Sequence, residues 1–156
     1  MSVLAPGSPA PDFTLRGEEG EKVTLEDFKG QPTVLVFFPA AFSRVCTDQF
    51  NLYQEVLGEL QERGARLYGV SCDASPSQKA FREHLGVEIP MLSDFEPKGE
   101  VSRAFGVYHR AGVSTRALVI LDPEGVVQWS WEGEHPGVLP GANLIFDGLA
   151  AERPAA

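Results

Sequence analysis

The chain has 156 residues, 43% of them hydrophobic and 22% charged, with a formal net charge of -9. That balance predicts an ordinary soluble globular domain with room for a real core, and the acidic excess argues against nucleic acid or an anionic membrane surface as a partner. No run approaches the roughly 20 apolar residues that span a bilayer, and MSVLAPGSPAPDF lacks the basic and apolar regions of a leader, so no signal peptide is expected.

Pro6, Pro9 and Pro11 predict an extended lead-in. DFTLRG and EKVTLEDF, joined at Glu18-Glu19-Gly20, read as a short hairpin or paired edge strands. TVLVFF (33–38) is a continuous apolar run, the pattern of a buried parallel strand. From Ser43 to about Arg63 the spacing of Phe50, Tyr53, Val56, Leu57 and Leu60 predicts a helix, stopped by Gly64. RLYGVSC (66–72) is the next strand. SPSQKAFREHLG follows as a short helix, with Ser75 as N-cap, Pro76 at the first helical position and Gly86 past its end. PMLSD is a short extended piece, and GEVSRAFG one or two helical turns.

ALVILD (117–122) is a second buried strand. The turn Asp122-Pro123-Glu124-Gly125 joins it to VVQWSWE as an antiparallel hairpin. A last helix runs from about Gly141 to Ala150, and the tail ERPAA is expected to fray. This order predicts one α/β domain of thioredoxin-like fold over 1–156. Its mixed central sheet is flanked by helices and carries an N-terminal β-hairpin extension.

Two cysteines are too few for a secreted disulfide scaffold, so a reducing cytoplasm is the expected compartment. Cys46 follows the carboxyl end of a central strand and lies in the first turn of a helix. Sites in open α/β sheets form at such strand ends. Unpaired N–H groups and the positive end of the helix dipole favour an anion there. The thiolate is an anion, and it is the nucleophilic form of cysteine. Position alone leaves two readings open: a reactive thiol, or a buried cysteine acting as a small apolar residue. Three neighbours favour the first. Pro39 ends the strand, Ser43 places a hydroxyl one turn before the sulfur, and Arg116 could bring a forked cation to the same sheet edge.

Pro39-x-x-x-Ser43-x-x-Cys46 matches the peroxidatic motif of peroxiredoxins. The chain most resembles the alkyl hydroperoxide reductase E branch, close to the bacterioferritin-comigratory group. The resemblance extends to PGSPAPDFTL, VLVFFP, LSDFEPKGEVSRAFGV and STRALVILDPEGVV. It implies a thiol peroxidase that reduces hydrogen peroxide, alkyl hydroperoxides or peroxynitrite without metal, haem or flavin. Cys46 would be the peroxidatic cysteine, with Pro39, Ser43 and Arg116 completing the site. It also implies a homodimer, recycled by thioredoxin, glutaredoxin or a low-molecular-weight thiol. Gln49 departs from the family pattern, in which a glutamate commonly helps to orient the arginine.

Asn51 stands where many bacterioferritin-comigratory proteins carry a resolving cysteine, so that route is absent. Cys72, at the end of the neighbouring strand, is an internal resolving cysteine, a passive structural thiol or a partner in an intermolecular pair. Phe42 either joins an apolar collar around the peroxide or simply packs. His84, His109 and His135 are scattered without metal-ligand spacing, and no C-x-x-C is present. Asp94, Glu96 and Glu100 read as loop and helix-start charges. The competing functional class is a peroxide sensor that signals to a partner through oxidised Cys46.

Overall fold

The apolar run that follows Pro32 sets the frame. It forms β3 (Thr33–Phe37), buried at every position. Ahead of it, β1 (Thr14–Arg16) and β2 (Lys22–Thr24) pair antiparallel as the expected hairpin. After it come α1 (Arg44–Glu62), β4 (Arg66–Ser71), α2 (Ser75–Leu85), β5 (Met91–Ser93) and α3 (Glu100–Ala104). The chain continues with β6 (Tyr108–His109), β7 (Val113–Ser114), β8 (Ala117–Leu121), β9 (Val127–Glu132) and α4 (Ala142–Ala150). This computed structural model describes residues 2–151, and the tail ERPAA lies outside them.

Seven strands form one mixed sheet in the order β2-β1-β5-β4-β3-β8-β9. Its centre, β5-β4-β3, is parallel, while β8 runs antiparallel to both β3 and β9. Strand alternation divides the core in two. Val34, Val36 and Phe38 face α1, α2 and α4, where they meet Phe50, Leu60, Phe81 and Ile145. Leu35 and Phe37 face the opposite layer, with Phe13, Phe28, Val101 and Phe105. Among the described residues no helix is long and apolar enough to cross a membrane.

Three boundaries differ from the sequence reading. The LEDF end of the second predicted strand is instead a 3-10 helix (Leu25–Phe28). Thr24 and Asp27 close a capping box there, which turns the chain before the strand can lengthen. Ser75 is the first residue of α2 rather than its N-cap, because the Ala74 carbonyl already accepts the first helical bond from Gln78. The two-residue strands β6 and β7 pair with each other in a separate small sheet that the sequence pattern did not show.

Gly69 lets α1 approach the sheet. A Cβ at this position would lie 2.5 Å from Met91 Sδ, 2.8 Å from Phe50 Cζ and 3.1 Å from Phe38 Cε1. The two rings are themselves edge-packed, with centroids 4.9 Å apart, and Met91 is buried, so none of the three can yield freely. Gly69→Ala should therefore lower the unfolding free energy by about 1–3 kcal/mol. A urea denaturation curve with an unmoved midpoint would contradict this packing.

Candidate active site

The segment between β3 and α1 turns sharply. Pro39 follows Phe38 in a half-buried bend, and Phe42 adopts φ 66, a left-handed backbone rare for a bulky residue. Two attachments hold the turn. The Ala41 N–H donates to Asp73 Oδ2 at 2.9 Å, and the same carboxylate oxygen accepts from Ser71 Oγ at 2.6 Å. Gln78 of α2 braces Ser71 with a 2.8 Å bond. The Phe42 ring packs on Phe81 and His84 of α2, with centroids 5.3 and 5.6 Å apart. Phe42 packs on α2 in this way and still stays 53% exposed.

Ser43 is the N-cap of α1, and Cys46 lies in the first helical turn. The first helical bond runs from the Thr47 N–H to the Ser43 carbonyl at 2.9 Å. The Cys46 amide therefore belongs to the group without an intrahelical partner. The Ser43 hydroxyl donates to the Ala40 carbonyl at 2.9 Å, not to sulfur. The Cys46 side chain is fully buried and belongs to the core cluster on the α1 side of the sheet.

Arg116 precedes β8 and is almost fully buried. All three of its nitrogens have partners. Nη2 donates to Cys46 Sγ at 3.2 Å, Nη1 to Gln49 Oε1 at 2.6 Å, and Nε to the Pro136 carbonyl at 2.7 Å. Gln49 is buried as well, and its Nε2 donates to the Tyr53 hydroxyl at 3.1 Å. Tyr53 in turn donates to the Pro140 carbonyl at 2.8 Å. Burial pushes the Tyr53 hydroxyl up to about 12, against opposing effects from Gln49 and Arg116.

The structure thus brings Cys46, Gln49 and Arg116 into one hydrogen-bonded line, with Pro39, Phe42 and Ser43 in the segment leading to it. Tyr53 and Asp73 are the site residues that the sequence reading missed. Tyr53 lies seven positions after Cys46 on the same helical face, where its aromatic ring passes for core.

Cys72 stands apart. Ser71 turns toward α2, so Cys72, just beyond the end of β4, turns to the other face. There it lies 3.7 Å from Ser114 Oγ, which is bonded to Ser102 of α3 at 2.7 Å. Both cysteines are free and buried. Burial raises the Cys72 thiol above its ordinary value, partly offset by its bond to Ser114. Among the described residues, no group of three or more His, Cys, Asp or Glu could hold a metal ion.

Residues 6–130 match the AhpC/TSA family. Alkyl hydroperoxide reductase E of Mycobacterium tuberculosis is 35% identical over 151 residues, covering 96% of this chain and 98% of that protein. Peroxiredoxin 2 of Thermoplasma acidophilum is 34% identical over 128 residues, covering 79% and 64%. The crystal structure of Enterococcus faecalis AhpC superimposes with a TM-score of 0.83 at 30% identity, covering 96% of this chain and 91% of that one. Peroxidoxin BcpB from Mycobacterium tuberculosis gives 0.82 at 26%, covering 94% and 96%. With a thioredoxin-like fold and near full-length relatives of this kind, the chain belongs to the AhpC/TSA family and is a peroxiredoxin, a thiol-dependent peroxidase.

Proposed function

We propose that Cys46 is the peroxidatic cysteine and that the chain runs a one-cysteine cycle, with Cys72 passive. The observation that carries the first part is the 3.2 Å bond from buried Arg116 to Cys46 Sγ in the first turn of α1. In the reaction, the thiolate sulfur attacks the terminal oxygen of a hydroperoxide. The S–O bond forms as the O–O bond breaks, and the departing oxygen takes a proton to leave as water or an alcohol. Sulfur is oxidised by two electrons to sulfenic acid. Negative charge moves from sulfur to the leaving oxygen, beside a guanidinium that is already fixed. Ser43, committed as a donor to Ala40, keeps its oxygen free to accept a hydrogen bond from the hydroperoxide O–H.

Recycling uses two external thiols. The first condenses with the sulfenic acid, releasing water and forming a mixed disulfide. The second attacks that disulfide and frees Cys46. Thioredoxin, glutaredoxin and a low-molecular-weight thiol all have the chemistry required. The passive role of Cys72 is supported by its place on the opposite sheet face, its burial and its raised thiol. The reading keeps the cytoplasmic homodimer and the range of peroxides that the resemblance implies.

Cys46→Ser should abolish peroxide consumption, while Cys72→Ser should keep turnover with an external dithiol. After one equivalent of peroxide, intact-mass analysis should find wild-type protein with a trappable sulfenic acid. Loss of two hydrogens instead would mean an internal disulfide and a resolving role for Cys72. In Cys46→Ser protein, alkylation of Cys72 at mildly alkaline pH should be much slower in the native state than in urea. A folded thiol raised above its unfolded value stabilises the protein below the unfolded value, and that contribution is lost as pH rises through the folded one. Stability of this variant should accordingly fall above about pH 9, the ordinary value for the thiol. A stability unchanged through that range would contradict the assigned environment.

A further inference from the structure

We infer that Tyr53 is a positioning residue for the peroxidase reaction: it fixes the direction of the Gln49 amide, and through it the aim of Arg116 at Cys46. The inference rests on the peroxidatic reading of Cys46.

Glutamine is an ambiguous partner for arginine. Its amide has one accepting oxygen and one donating NH2 of nearly equal size. Arg116 offers only donors, so one orientation gives the 2.6 Å bond from Nη1 to Oε1, and the other sets two donors face to face. A carboxylate would present oxygen either way. A second group that accepts only from the NH2 end of Gln49 would add to this preference and hold the oxygen on Arg116.

Tyr53 is placed to do so. The Pro140 carbonyl is an obligate acceptor, and it takes the Tyr53 proton at 2.8 Å. The lone pairs of the hydroxyl are then left for Gln49, which donates Nε2 at 3.1 Å. With Nε2 committed, Oε1 must point to Arg116. The order of donors is thus set from outside the site, in the chain just before α4, and passes inward through two side chains. Both Gln49 and Tyr53 are fully buried, so water does not compete for these atoms. Burial also holds the Tyr53 hydroxyl protonated up to about 12, so the device does not switch over the neutral range.

The test is the single-turnover rate of Cys46 oxidation by hydrogen peroxide in four proteins: wild type, Tyr53→Phe, Gln49→Glu and Tyr53→Phe/Gln49→Glu. Tyr53→Phe keeps the ring and removes only the hydroxyl. In the wild-type background it should slow oxidation by about tenfold, the upper end of what losing one neutral buried hydrogen bond costs. In the Gln49→Glu background the same change should leave the rate within about twofold of its parent, since a carboxylate needs no orienting. A Tyr53→Phe rate equal to wild type would overturn the inference. So would an equal slowing in both backgrounds, which would mark a packing effect. A wild-type protein that fails to react at all would instead overturn the peroxidatic reading beneath it.

Discussion

The site depends on one buried guanidinium. A charge taken out of water is costly unless its hydrogen-bonding capacity is met. Arg116 gives each of its three nitrogens an acceptor, and the three are of different kinds: a backbone carbonyl, a neutral amide oxygen and a sulfur. No carboxylate is among them. Sulfur is the only one of the three that can carry a negative charge, so the cation's natural counter-ion is Cys46, the nucleophile we propose. The forked, planar geometry of arginine allows one side chain to serve all three partners at once, which a lysine ammonium on a flexible stem could not do.

The fold makes this convergence possible by adjacency. β3 and β8 are neighbours in the sheet, paired from Thr33↔Leu121 to Phe37↔Ala117. Arg116, one residue before Ala117, therefore arrives beside the carboxyl end of β3, where the chain turns into α1. Alternation along β8 sends Leu118 and Ile120 to the α1 face, and Arg116, of the same parity, goes with them. The same alternation along β4 separates the two thiols. Strand adjacency in sequence order suggested that Cys72 might reach Cys46, but side-chain parity turns it toward α3. Two cysteines at one sheet edge are thus kept apart by the period of the strand.

Much of this was legible in the chain. Continuous apolar runs marked β3 and β8, and the three- and four-residue spacing marked α1 to within a residue. Pro39, Ser43 and Cys46 were legible as candidates because they lie within one short turn into a helix, where spacing places residues close together. Arg116, seventy positions from Cys46, was placed at the same sheet edge by its position at the start of a central strand, and the family resemblance added its role at the sulfur. Tyr53 was read as core because its ring does pack with Phe50, and its hydroxyl matters only in relation to a distant carbonyl. Pro136 and Pro140 contribute backbone oxygens, which have no signature in a sequence. The Ser43 hydroxyl, expected at the sulfur, turns to Ala40 because the sharp bend at Phe42 brings that carbonyl within reach.

The most direct test of the account is the second-order rate constant for oxidation of Cys46 in Arg116→Ala, followed by stopped-flow fluorescence of Trp129 and Trp131. A circular dichroism spectrum would show whether the fold survives. With the fold intact, loss of the guanidinium should lower the rate by about two to three orders of magnitude. A folded variant that reacts as fast as the wild type would show that the sulfur does not depend on this cation.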